Sequence, residues 1–269
     1  MPLGEGFAPV IEQVYGCCAV SEFVKAPLRV RPMLLVGLPV LGKFCFAARL
    51  ADVIGVPRFF YAMDAAETIS TLAGSDKHWA NSEPGQLFRL ILLGEVANPV
   101  IVLDELDKAP GGGSGNDSSR CRPANALHGV LELETARALR DKSADIVFDA
   151  SHAIYVATAN KLSTIDGALL SRFTLFHIEA PNARAAVSIA RSVARSAFEE
   201  FRLVDKFDRI AGEVLQQLAS LGNPRLQQKA LEAAIGQAVC SGRRALALRD
   251  LTAFATPTGD TLTQPMRTH

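Results

Sequence analysis

Short runs of apolar residues punctuate this chain up to Ala180, and two of them, Val100–Leu103 and Ile154–Val156, are continuous. Alternation marks a strand with one wet face, whereas an unbroken apolar run marks a strand covered on both faces. LLVG (Leu34–Gly37), FFYAMD (Phe59–Asp64), VIVLDE (Val100–Glu105) and IYVATAN (Ile154–Asn160) read as core strands, with FTLFHIEA (Phe173–Ala180) as a fifth. Between them lie helical stretches, so residues 31–180 predict an α/β domain with a parallel sheet and crossover helices. After Pro181 the period changes. Ala, Leu, Arg and Gln recur at helical spacing, which predicts helices over 182–201, 207–221 and 224–240 and a shorter one near 246–254. Residues 7–26 predict a helix broken near Gly16. Turns are expected at Gly55–Pro57 and Gly94, and GGGSGNDSSR (Gly111–Arg120) reads as a flexible surface loop. The organisation expected is therefore a helical segment over 1–30, an α/β domain over 31–180, an all-α domain over 181–254 and a polar tail over 255–269.

The first strand runs straight into GLPVLGKF (Gly37–Phe44), which carries the G-x-x-x-x-G-K frame of a phosphate-binding loop at Gly37, Gly42 and Lys43. In such a loop the backbone N–H groups and the N-terminus of the following helix cradle phosphates, while the lysine reaches the β- and γ-phosphates. Gly37, Pro39, Val40, Leu41, Gly42, Lys43 and Phe44 are thus the expected nucleotide-binding set. The position after the lysine normally supplies a hydroxyl to Mg²⁺, and Phe44 has none to give. VIVLDE ends in two carboxylates: Asp104 is placed to hold the metal and Glu105 to polarise an attacking water. Asn160, ending the next buried strand, is positioned to orient that water. Arg172, in ALLSRF (Ala168–Phe173), is expected to reach the phosphate of a neighbouring subunit. Arg225, opening a helix after GNP, is available to the nucleotide of its own chain.

These motifs, in this order, resemble the AAA+ superfamily and, within it, the ATPase module of Lon proteases. That family's GPPGxGKT is matched at Gly37, Pro39, Gly42 and Lys43, with Val40 in place of a glycine and Phe44 in place of a threonine. NPVIVLDELDK (Asn98–Lys108) is similar to its NPVxLLDEIDK. LRDKSADIVFDASHAIYVATAN (Leu139–Asn160) resembles a further family stretch at Asp141, Asp149, Ala159 and Asn160, and LLSR (Leu169–Arg172) resembles the arginine-finger stretch. HWANSEPG (His78–Gly85) is similar in form to the pore-loop segment, which makes Trp79 the pore-loop aromatic. The similarity extends over residues 10–253. It implies a P-loop AAA+ parallel sheet followed by a small helical lid, ATP and Mg²⁺ as cofactors, and assembly into a homo-oligomer, a hexamer by analogy. Nothing after the ATPase module corresponds to the family's Ser–Lys protease domain.

Composition narrows the alternatives. The chain has 269 residues with Lys+Arg 28 and Asp+Glu 28, so no overall field drives it toward nucleic acid or an anionic membrane. Although 49% of residues are apolar, no run approaches the roughly 18 residues that span a bilayer. The opening MPLGEGFAPVIEQ lacks a basic n-region and does not read as a secretory signal. Cys17, Cys18, Cys45, Cys121 and Cys240 show neither C-x-x-C nor Cys/His ligand spacing, and read as reduced cytoplasmic thiols. Two functions remain open. One is a ring-forming ATPase that remodels a protein client. The other is a nucleotide-binding scaffold that does not hydrolyse. A nucleic-acid motor is the weaker third reading, since no basic patch or stacking aromatic cluster is visible.

Overall fold

A computed structural model describes residues 5–39, 41–64, 70–75, 82–109 and 123–251. Val40, Trp79, Cys121, the Gly111–Arg120 loop and the 255–269 tail lie outside the described residues. Two compact units are present, Glu5–Ala180 and the residues from Pro181 onward.

In the first unit a 3-10 turn leads into helix α1 (Ala8–Val24). Phe7 stacks on Phe46 with ring centroids 4.4 Å apart, and Val10 and Val14 are buried, so the start of the helix is fixed to the sheet-covering layer. α1 runs through Gly16 without the break expected from sequence. One glycine costs about 1 kcal/mol inside a helix, less than stopping and renucleating it. Strands β1 (Met33–Val36), β2 (Arg58–Ala62), β3 (Val100–Asp104), β6 (Ile154–Ala159) and β7 (Thr174–His177) form one sheet in the order β2-β3-β6-β1-β7, with every pairing parallel. β1, β3 and β6 are buried almost throughout, as their unbroken apolar runs require. Helix α2 (Lys43–Ile54) makes the first crossover, and α3 (Ser70–Ala73) and α4 (Gln86–Leu92) lie in the second. Between β3 and β6 come α5 (Pro123–Leu131), α6 (Leu133–Ala136) and an antiparallel hairpin of β4 (Leu139–Asp141) and β5 (Ile146–Phe148). The short helix α7 (Gly167–Leu170) precedes β7.

The second unit is helical: α8 (Ala183–Glu200), α9 (Gly212–Ser220) and α10 (Pro224–Cys240), followed by a 3-10 turn at Leu248–Asp250. The Asn182 side chain caps α8 by accepting from the Ala185 N–H at 2.9 Å, and Asn223 caps α10 ahead of Pro224. Alanines of α8 and α10, with Leu215, Leu218 and Leu231, fill its core. Two expectations are corrected here. The helix expected from Phe207 begins at Gly212, because the Asp208 N–H bonds to the Arg244 carbonyl at 2.7 Å instead of closing a helical turn. Phe207 and Ile210 still pack on the core, so their spacing mimics a helical stripe. The helix expected near Leu246 is only the 3-10 turn within the described residues.

Candidate functional site

Parallel pairing brings the C-terminal ends of β1, β3 and β6 to one edge of the sheet, where the registers Val36↔Ala159 and Leu103↔Ala157 set their chain ends side by side. In open parallel sheets this edge is where ligands gather. The loop leaving β1 starts there. Its Gly37 N–H donates to the Ala159 carbonyl at 3.2 Å, and a side chain at Gly37 would sit 2.4 Å from the Ile178 carbonyl oxygen. Only glycine fits that approach. Gly42 caps α2 at φ 82°, a left-handed conformation natural to glycine, and the helix N–H groups follow at once. Pro39 is exposed in the turn and Leu41 is half-buried beside Gly37.

Lys43 is the buried centre of the arrangement. Its ammonium donates to the Gly37 carbonyl at 2.5 Å, the Leu38 carbonyl at 3.0 Å and Asn160 Oδ1 at 3.0 Å. Burial pushes the amine below the ordinary lysine range, against the opposing pull of Asp107, Asp104 and Glu105. Asp104 Oδ1 accepts the Thr158 hydroxyl proton at 2.5 Å, and the same hydroxyl oxygen accepts the Glu105 N–H at 3.0 Å. Glu105 sits at φ 55°, and this left-handed turn swings its side chain to Lys108, whose ammonium lies 2.6 Å from Oε1. That bond raises the Lys108 amine above its usual range. Asp107 accepts from the Lys161 N–H at 3.2 Å, tying the turn after β3 to the end of β6.

Phe44 points elsewhere. Its half-exposed ring stacks on Phe60 of β2 at 4.4 Å between centroids, and Arg58, held by Asp52, lies 5.9 Å from the Phe60 ring centre. Among the described residues no group of three His, Cys, Asp or Glu side chains could hold a metal. The carboxylates at this edge already have partners within the chain: Asp104 accepts from the Thr158 hydroxyl, Glu105 from the Lys108 ammonium and Asp107 from the Lys161 N–H.

The structure brings Gly37, Gly42, Lys43, Asp104, Glu105 and Asn160 to one sheet edge. It does not bring Arg172 to them: that guanidinium donates to the Ala168 carbonyl at 2.6 Å, and its Nε lies 3.4 Å from Glu132 Oε2. Arg225 belongs to the second unit, at the first turn of α10. Thr158 was missed by sequence reasoning. Its signal was an aliphatic hydroxyl near the end of a buried strand, a group that usually needs a partner there.

No helix among the described residues is long and apolar enough to cross a membrane. Residues 33–181 match the family model of ATPases associated with various cellular activities. The Lon protease of Magnetococcus marinus is 28% identical over 231 residues, covering 84% of this chain and 28% of the relative. The Lon protease of Leptospira interrogans is 32% identical over 146 residues, or 54% of this chain and 17% of that protein. The chain thus spans less than a third of the curated relatives it matches. Among solved structures, the Thermotoga maritima RuvB Holliday junction branch migration motor superposes with a TM-score of 0.59 at 14% identity, over 91% of this chain and 67% of that one. A point mutant of the same protein gives 0.61 over 90% and 67%. With the phosphate-loop frame at the end of β1, the paired carboxylates at the end of β3 across the intervening β6, and a family match over residues 33–181, the chain belongs to the AAA family of ATPases.

Proposed function

We propose that this protein is an ATP-driven, ring-forming motor that remodels a protein client in the cytoplasm. The observation that carries the reading is the convergence of Lys43, Asn160, Asp104 and Glu105 at the C-terminal edge of the sheet, directly beneath a glycine-framed loop that opens α2. On this reading Gly37, Pro39, Val40, Leu41, Gly42 and the first turn of α2 cradle the phosphates, and Lys43 and Arg225 bind their charge. When bound, Mg²⁺ supplies charge neutralisation between the phosphates, and Asp104 would hold it. Glu105 accepts a proton from the attacking water and Asn160 orients that water. Arg172 acts on the site of the adjoining subunit, and Trp79 grips the client in a central channel of a hexamer.

One observation favours a second reading, a nucleotide-binding scaffold without turnover. Phe44 gives the metal no ligand, and its ring is committed to Phe60. Binding of a fluorescent ATP analogue measured beside phosphate release, with and without Mg²⁺, separates the two: tight binding with no Mg²⁺-dependent release selects the scaffold. Phe44→Thr combined with Val40→Gly is expected to raise Mg²⁺-dependent ATP affinity and turnover about tenfold or more, through a restored metal ligand and a freer loop. Unchanged kinetics in that double variant would show that the loop is not limiting.

Assembly has its own check. Mixing Arg172→Ala subunits with Lys43→Ala subunits should recover part of the activity that each lacks alone, because one chain then supplies the guanidinium and the other the intact loop. No recovery, together with a monomer at high concentration in ATP, would remove the shared site from the proposal.

A further inference from the structure

An ammonium group has three protons, and Lys43 gives them to three oxygens of its own chain: the Gly37 and Leu38 carbonyls and Asn160 Oδ1. The residue as a whole is 7% exposed, so solvent has little access to it. Phosphate oxygens reach Lys43 only by taking at least one of these protons. The Gly37 carbonyl belongs to a residue held by its N–H bond to Ala159 and packed against the Ile178 carbonyl, and the Leu38 carbonyl follows it on the same backbone. Asn160 is the one acceptor carried on a rotatable side chain, so its bond can yield without moving the loop backbone.

We propose that Asn160 is a latch on Lys43, bonding the ammonium in the nucleotide-free protein and lowering phosphate affinity until its side chain swings away. The inference rests on the nucleotide-binding reading above and deepens it, giving Asn160 a task before any water is oriented. Asp104, Asp107 and Glu105 act on the ammonium through their charge, while the hydrogen bonds go to the loop and to Asn160. The latch therefore sets direction and availability, and the carboxylates keep the charge in place. Release of Lys43 and liberation of the Asn160 amide are one event, so anion capture frees the group that turnover uses next.

The test is competitive acetylation by acetic anhydride of the protein alone, read by peptide mass spectrometry, with exposed Lys25 as the standard in the same digest. Mg²⁺-free binding of ATP and of inorganic pyrophosphate is measured beside it. In Asn160→Ala, Lys43 should label several-fold faster relative to Lys25, and ATP should bind about fivefold tighter, the equivalent of one hydrogen bond removed from the free protein. Asn160→Ser, with a shorter side chain, should fall between, and it carries the test if the alanine variant fails to fold. Unchanged Lys43 labelling overturns the latch. Faster labelling with weaker ATP binding also overturns it, since Asn160 would then hold nucleotide and not oppose it. Faster labelling with no ATP or pyrophosphate bound by either protein keeps the latch and overturns the nucleotide reading.

Discussion

Glu105→Gln is expected to keep its nucleotide and lose turnover by about 10²–10⁴-fold, the usual contribution of a positioned general base. The structure makes this substitution unusually clean. What holds the Glu105 backbone in its left-handed turn is the N–H bond to Thr158, which does not involve the Glu105 side chain. The amide of glutamine keeps an oxygen for Lys108, now 2.6 Å from Oε1, so the turn and Asp104 stay where they are. The basicity and the negative charge are removed together, while the shape and the hydrogen bond to Lys108 are kept. Single-turnover phosphate release, measured beside equilibrium ATP binding, reads the two effects separately. Identical release by the parent and the variant would assign the activity to another site and sink the enzyme reading.

Asp141→Ala is expected to destabilise the first unit by about 4 kcal/mol, since three backbone donors lose a charge-assisted partner at once. Asp141 is 1% exposed and lies in the β4–β5 hairpin. Its Oδ1 accepts the Ser143 and Ala144 N–H groups at 3.0 and 2.8 Å, and its Oδ2 accepts the Gly85 N–H at 2.8 Å. The carboxylate therefore clamps the hairpin turn to the segment that opens α4. The Lys142 N–H, bonded to the Ala73 carbonyl at 3.1 Å, adds a second tie across the same seam. For a unit of this size such a loss corresponds to a fall of roughly 10 °C in Tm. Asp141→Asn keeps one acceptor oxygen and should lose less than half as much. Calorimetry on the three proteins checks the order, and equal melting of all three would show that the clamp carries no weight.

The parallel sheet was legible because its strands are apolar on both faces, and the phosphate loop because its glycines and lysine occur at a fixed spacing straight after the first of them. The β4–β5 hairpin was not. Each of its strands is three residues long, too short for a period, and its anchor Asp141 makes contacts 56 residues away at Gly85. Thr158 escaped for a similar reason, since its partners Asp104 and Glu105 lie on a strand that becomes its neighbour only through the fold. Arg172 could be singled out by motif, but its pairing with Glu132 depends on how α5, α6 and α7 are set against one another. Gly16 misled through propensity alone, because burial of Val10 and Val14 and the cooperativity of a long helix outweigh one glycine.

The stack of Phe44 on Phe60 has a consequence for how this protein can change. A threonine at position 44 gives up the ring contact, worth about 1 kcal/mol, and uncovers Phe60 on the outermost strand of the sheet. The lost contact is felt immediately, whereas the new hydroxyl serves only a loop that still carries Val40. Phe44→Thr alone is therefore downhill in stability before it is uphill in metal affinity. The aromatic pair thus opposes the substitution that would give the loop a metal-binding hydroxyl.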